Sequence, residues 1–228
     1  MGFLRTLKKM EDELIDCKFC FVSDYQEKDL QNLPEDIVSL EIQSFYKPTK
    51  QIFFPPLLRK LSMPFYYDFP LDNLPDSLAD VYLPYNNQPI IFPLNLVKLE
   101  ILLLNDSDLP IRALPKSLIV LRINGITKEV EWNRLSQLKI LEIEGGATTI
   151  DKLPDSLKTL CVNGLTGCIK IQSFPKSIKM FFGQGSIEIT GIIHQTIKRV
   201  LLDCSNYTKL LDKLSYLPKK KIKQYQEE

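Results

Sequence analysis

A phrase of the form Leu-Pro-x-Ser-Leu recurs along this chain, and its spacing limits the fold more than any other feature. LPEDIVSLEI begins at Leu33, LPDSLADVYL at Leu74, LPKSLIVLRI at Leu114 and LPDSLKTLCV at Leu153. Weaker copies lie between them, opening at Phe54, Phe92, Arg134, Phe174 and Ile193. Nine copies therefore follow one another at a mean interval of 20 residues. Numbered from each opening residue, positions 5, 8 and 10 hold Ile, Leu, Val, Met or Phe at twenty-six of twenty-seven sites, and the exception is Gly183. An apolar content of 44% would place only about twelve there by chance. Position 2 is proline in seven of the nine copies.

Positions 8 and 10 share one face of a strand, and 7, 9 and 11 share the other. Proline cannot donate to a sheet ladder, so position 2 marks the bend into the coil. Twenty residues make a short strand, a turn and a return segment, but cannot bury their own apolar side. Stacked units can, by forming a continuous column of Leu and Ile. The pattern predicts a solenoid, either α/β-type or mainly β. It would be a leucine-rich-repeat superhelix of about ten coils with a parallel concave sheet, roughly 45 Å long at about 4.8 Å per strand. Leu opens copies one, three, five and seven and Phe opens two, four and eight, which suggests a two-coil unit. Three regions follow: an N-terminal cap and imperfect first coil over 1–32, the repeats over 33–203, and a C-terminal cap with a basic tail over 204–228. The first coil is placed at Met10, with Cys17 and Phe19 at positions 8 and 10.

The third copy carries the resemblance furthest. Leu74, Pro75, Ser77, Leu78, Leu83, Asn87, Gln88, Pro89 and Ile90 match the FNIP repeat, LPxSLxxLxLGxxFNQPI, a relative of the leucine-rich repeat. Pro84 stands where that repeat has Gly and Asn86 where it has Phe; the other copies keep the first half alone. The chain thus resembles FNIP-type leucine-rich-repeat proteins. The resemblance implies protein–protein interaction, and in proteins that also carry an F-box, the recruitment of substrates to a ubiquitin ligase. No F-box is read in residues 1–32. The first half of the phrase is also similar to 20-residue repeats of secreted bacterial effectors. Those carry Asn at a fixed place after the strand, and only Asn86 occupies it here.

The net charge is +1, from 29 basic and 28 acidic residues, so no global field favours nucleic acid or anionic lipid. No run reaches the roughly 18 apolar residues of a membrane span. Five irregularly spaced cysteines suit a reduced compartment, and the expected location is cytoplasmic.

Residues that carry chemistry are sparse. His194, the single histidine, fills the proline slot of copy nine with no partner in the pattern, and is not read as catalytic. Cys17 and Cys20 in CKFC have half of a metal-site spacing, but no second pair follows; in the frame above Cys17 points inward and Cys20 outward. MGFLRT is a loose acylation match at Gly2, and KKKIK at 219–223 reads as a solvated tail. Gly145, Gly146, Gly164, Gly167, Gly183 and Gly185 are placed in turns after strands. No enzyme, cofactor or metal site is expected.

The working surface is expected on the outward face of the sheet. Its central column, position 9, reads Glu41, Ser62, Tyr82, Glu100, Arg122, Glu142, Cys161, Phe182 and Leu201. Its last three members are apolar, and Met180 at position 7 joins them. The candidate partner-binding residues are Tyr82, Glu100, Arg122, Glu142, Cys161, Met180, Phe182 and Leu201. The function expected is recognition of a partner protein, with no nucleic acid and no membrane involved. The alternatives are a ligase adaptor without its own F-box and a self-associating structural protein. The alternative to a working patch is that residues 204–217 fold back and cover it, or that the register slips in copy eight, where Gly183 breaks the core pattern.

Overall fold

The computed structural model describes residues 19–22, 30–42, 49–65, 67–84, 88, 90–102, 114–124, 131–203, 210, 214, 217 and 222–224. They form a parallel β-solenoid of about seven turns with almost no helix. The α/β-type alternative is therefore set aside in favour of a mainly β chain. About seven turns also fall short of the ten coils expected; residues 23–29, 103–113, 125–130 and 204–209, among others, lie outside the described residues.

The strands are β1 (Phe19–Val22), β2 (Ser39–Ile42), β3 (Lys60–Ser62), β4 (Asp80–Leu83), β5 (Lys98–Leu102), β6 (Val120–Asn124), β7 (Ile140–Glu144), β8 (Thr148–Ile150), β9 (Thr159–Ile171), β10 (Met180–Ile189), β11 (Arg199–Leu202) and β12 (Ile222–Gln224). All but β8 follow one another in a single parallel path, and β8 pairs β9. Nine of these strands, one per repeat copy, begin at position 7 of that copy. The ladder joins equal positions throughout. Glu41 faces Ser62, Ser62 faces Tyr82, Tyr82 faces Glu100, and so on to Leu201. Repeat period and sheet register are thus one quantity, because a one-residue slip would turn each apolar set to the wrong face.

Every residue at positions 5, 8 and 10 of the nine copies is buried. The phrase itself makes the turn that precedes each strand. In all nine copies the position-5 N–H donates to the position-2 carbonyl, as from Leu157 to Pro154 at 3.1 Å and from Ile197 to His194 at 3.1 Å. Proline is accepted at this place because the turn uses only its carbonyl, which remains an acceptor. His194 thus serves in the turn through its backbone. The conserved spelling of position 4 also has a cause. The hydroxyls of Ser77, Ser117, Ser156 and Ser177 each donate to the position-5 carbonyl of the preceding coil, at 2.6–2.7 Å. Copy six lacks the phrase. A short 3-10 turn, Trp132–Arg134, leads into the same turn there, and Trp132 and Leu135 are buried.

Gly183 does not mark a slip. It pairs with Val162 and Leu202 at position 10, and a Cβ there would lie 2.9 Å from both Ile187 Cδ1 and Leu202 Cδ2. Neighbouring side chains fill the room that other copies give to position 10. The irregularity falls later, between Gly185 and Ile187.

Three sequence expectations are corrected. The ladder pairs Phe19 with Ser39 and Cys20 with Leu40, so the first coil is framed three residues later than a start at Met10 gives. Cys20, not Phe19 or Cys17, falls opposite the inward position 8; Cys17 and Gly2 lie outside the described residues. The terminal-coil spacing failed because 10–29 hold no proline to fix the frame. At the other end, part of the basic run is not a tail: Ile222–Gln224 form the parallel edge strand β12, with Lys223 opposite Leu201. Ile222 packs against the core, which explains why this stretch is held. Finally, Gly164, Gly167, Gly183 and Gly185 lie inside β9 and β10 rather than in turns after strands. A Cβ at Gly164 would collide with the backbone of Ser186, so close approach of neighbouring coils requires glycine there. Gly145, Gly146 and Gly185 take positive φ, as turns and bulges do.

A second inward column lines the far side of the coils. Ile52, Leu71, Ile90, Ile150, Ile171 and Ile189 are each at most 1% exposed. Short pairings join its members: Leu71 with Ile90, Ile150 with Ile171 and Ile171 with Ile189.

Candidate functional site

The register places seven of the eight candidate residues in one row across the sheet. Tyr82, Glu100, Arg122, Glu142, Cys161, Phe182 and Leu201 occupy successive strands from β4 to β11, skipping only β8. Met180 stands one face-position away from Phe182 on β10, flanked by Thr159 and Arg199. All eight are half-buried, as expected for side chains that rise from a sheet without entering the core.

Two chemical halves meet along this row. In the first half, the Arg122 guanidinium lies between two carboxylates. Its Nη1 donates to Glu100 Oε2 at 2.9 Å, and its Nε is 3.0 Å from Glu142 Oε2. One cation serves two anions on either side, so the cluster is not neutral. The Glu142 carboxyl sits above its usual range. Burial is the main cause, opposed by Arg122 and reinforced by Glu100 and Glu144. Burial, and then Glu100, also push the Tyr82 phenol up.

In the second half the row turns apolar with Cys161, Phe182 and Leu201. Burial pushes the Cys161 thiol up to about 12, helped by Glu142 and opposed by Arg122. A thiol held this way is protonated at neutral pH and a weak nucleophile. Cys161 is therefore not primed for covalent attack at neutral pH.

A depression of about 280 Å³ lies where the halves join. Its apolar walls are Cys161, Phe182 and Leu201, and its polar walls include Glu142, Glu144 and Asn163. A volume just below that of ordinary small-molecule pockets suits one or two inserted side chains. Glu144 and Asn163 belong to position 11, and the Asn163 Nδ2 donates to Glu144 Oε1 at 3.3 Å. Position-9 reasoning missed them. The signal was present, since position 11 changes from Pro64 and Pro84 in early copies to Asn124, Glu144, Asn163, Gln184 and Asp203 in later ones.

Of residues 204–217 only Leu210, Leu214 and Leu217 are described, and these are buried within the core cluster while Phe182 and Leu201 stay partly exposed; the rest of the fold-back expectation lies outside the described residues. Among the described residues no three His, Cys, Asp or Glu side chains are grouped to hold a metal ion. No helix among them is long and apolar enough to cross a membrane. Compared with known protein-family models and with curated proteins, the chain matches none.

Proposed function

We propose that this chain is a leucine-rich-repeat solenoid of the FNIP type that recognises a partner protein through the concave face of its sheet, without catalysis. On this reading the nine repeats and the first coil make about ten coils, and the protein works in the cytoplasm. Nucleic acid, membrane and cofactor take no part. The supporting observation is the in-register row from Glu100 to Leu201. It sets a charged, orienting half beside an apolar half with a side-chain-sized depression between them. Apolar anchors in such depressions carry most of the affinity at protein interfaces, and surrounding charges set orientation.

The test is affinity capture from the native cell with wild type and a Phe182→Asp/Leu201→Asp variant, both checked by circular dichroism. A partner held by wild type and lost by an equally folded variant supports the reading. Identical captures by both proteins argue against it. Copurified ligase subunits would turn the reading towards a substrate adaptor. Loss of self-association in the variant, seen by light scattering, would turn it towards a structural protein.

A further inference from the structure

The charge around the depression is unbalanced, and the imbalance describes the partner. Glu100, Glu142 and Glu144 present three carboxylates, against the single guanidinium of Arg122, which already contacts two of them. Among the described residues no cation lies within ion-pair distance of Glu144, whose polar contact is the neutral amide of Asn163. Lys98 is engaged with Asp80 at 3.2 Å. Lys223 is on β12, four strands from β7, or about 19 Å at the spacing of a parallel sheet. Arg199 on β11 and Lys60 on β3 stand three and four strands from β7, about 14 and 19 Å, so the described cations of this face do not meet the surplus at Glu142 and Glu144. The depression also has direction: carboxylates line it on β7, and Phe182 and Leu201 line it on β10 and β11.

We propose that the segment bound here is an extended stretch of a partner protein carrying one large apolar side chain and a lysine or arginine two or three residues away. The apolar group enters between Cys161, Phe182 and Leu201, and the cation meets Glu144 and Glu142. This rests on the concave-face reading above. The spacing follows from the sheet. Two strand steps separate Phe182 from Glu142, about 9.6 Å, and an extended chain covers that in about three residues. Long cationic side chains reach further, which admits a spacing of two. An acidic segment would meet like charge in a partly desolvated site, and a purely apolar one would leave the carboxylates uncompensated.

The experiment is selection of random twelve-residue peptides displayed on phage against the full chain, repeated on Glu144→Lys and Phe182→Ser variants. Glu144 is exposed, so its substitution leaves the core untouched. The expected result is enrichment of an apolar residue with Lys or Arg at a spacing of two or three. These peptides should weaken roughly tenfold on Glu144→Lys, which should in turn select Asp or Glu at the same spacing. Peptides that need Phe182 but show no basic preference, or whose preference ignores Glu144→Lys, overturn this inference and leave the concave site standing. Peptides that ignore Phe182→Ser, or a failure to enrich any, count against both.

Discussion

At the scale of single residues, side chains that look alike in the repeat differ in what surrounds them. Cys161 holds a place that six of the eight other copies give to a polar or charged residue, and burial keeps its thiol up near 12. At pH 8 its thiolate fraction in the native protein is about a thousandfold below that of the unfolded chain. Alkylation followed by peptide mass spectrometry should show this peptide protected natively and labelled in denaturant; equal labelling rates would contradict the burial. Glu142 makes a prediction of definite sign. Its folded carboxyl lies above the ordinary 4.5, so the native state holds the proton more tightly than the unfolded chain. Folding stability is therefore lost as pH rises from 4.5 through the folded value. Denaturant titrations should show Glu142→Gln gaining on wild type across that window. The Ser156 hydroxyl, 2.7 Å from the Leu138 carbonyl, should cost about 1 kcal/mol when replaced by Ala. Periodicity made the outward identity of Cys161 and Glu142 legible, but not their protonation. That depends first on burial and then on charges of neighbouring coils, which spacing alone does not rank.

At the scale of strands and turns, Gly183 supplies the sharpest contrast between pattern and packing. Restoring the repeat's apolar residue there, as Gly183→Leu, should destabilise the protein by about 1–3 kcal/mol, because Ile187 and Leu202 already occupy the space. Thermal and urea unfolding check this; a stabilised variant would mean that the site holds a cavity. The main ladder could be read from sequence because proline and two alternating apolar positions fix both the bend and the face of each strand. Where those marks are missing the frame fails. It failed at β1, three residues out, and at β12, where lysines disguise a strand held by Ile222. The second inward column escaped notice for a related reason. Its Ile or Leu stands two to four residues before the next copy's opening, and that variable interval blurs any fixed period.

At the scale of the molecule, the solenoid offers two kinds of surface for recognition. One is the outward row of the sheet, graded from charged at Glu100 to apolar at Leu201. The other is the turn edge, where Phe53 is 68% exposed, Leu57 56% and Leu94 84%. Isolated exposed apolar residues are common on protein surfaces, whereas a depression joining apolar walls to an excess of carboxylates is not. Stacked coils contact only their neighbours, so a substitution on one face leaves the other intact. The two surfaces can therefore be compared directly. The most direct measurement is the affinity of a captured partner, by titration calorimetry, for wild type, Phe182→Asp and Leu57→Asp/Leu94→Asp. A concave recognition site predicts a loss of at least a hundredfold, about 2.7 kcal/mol, for Phe182→Asp and little change at the turn edge. Binding that survives Phe182→Asp and falls with Leu57→Asp/Leu94→Asp would contradict it and move the site to the turns.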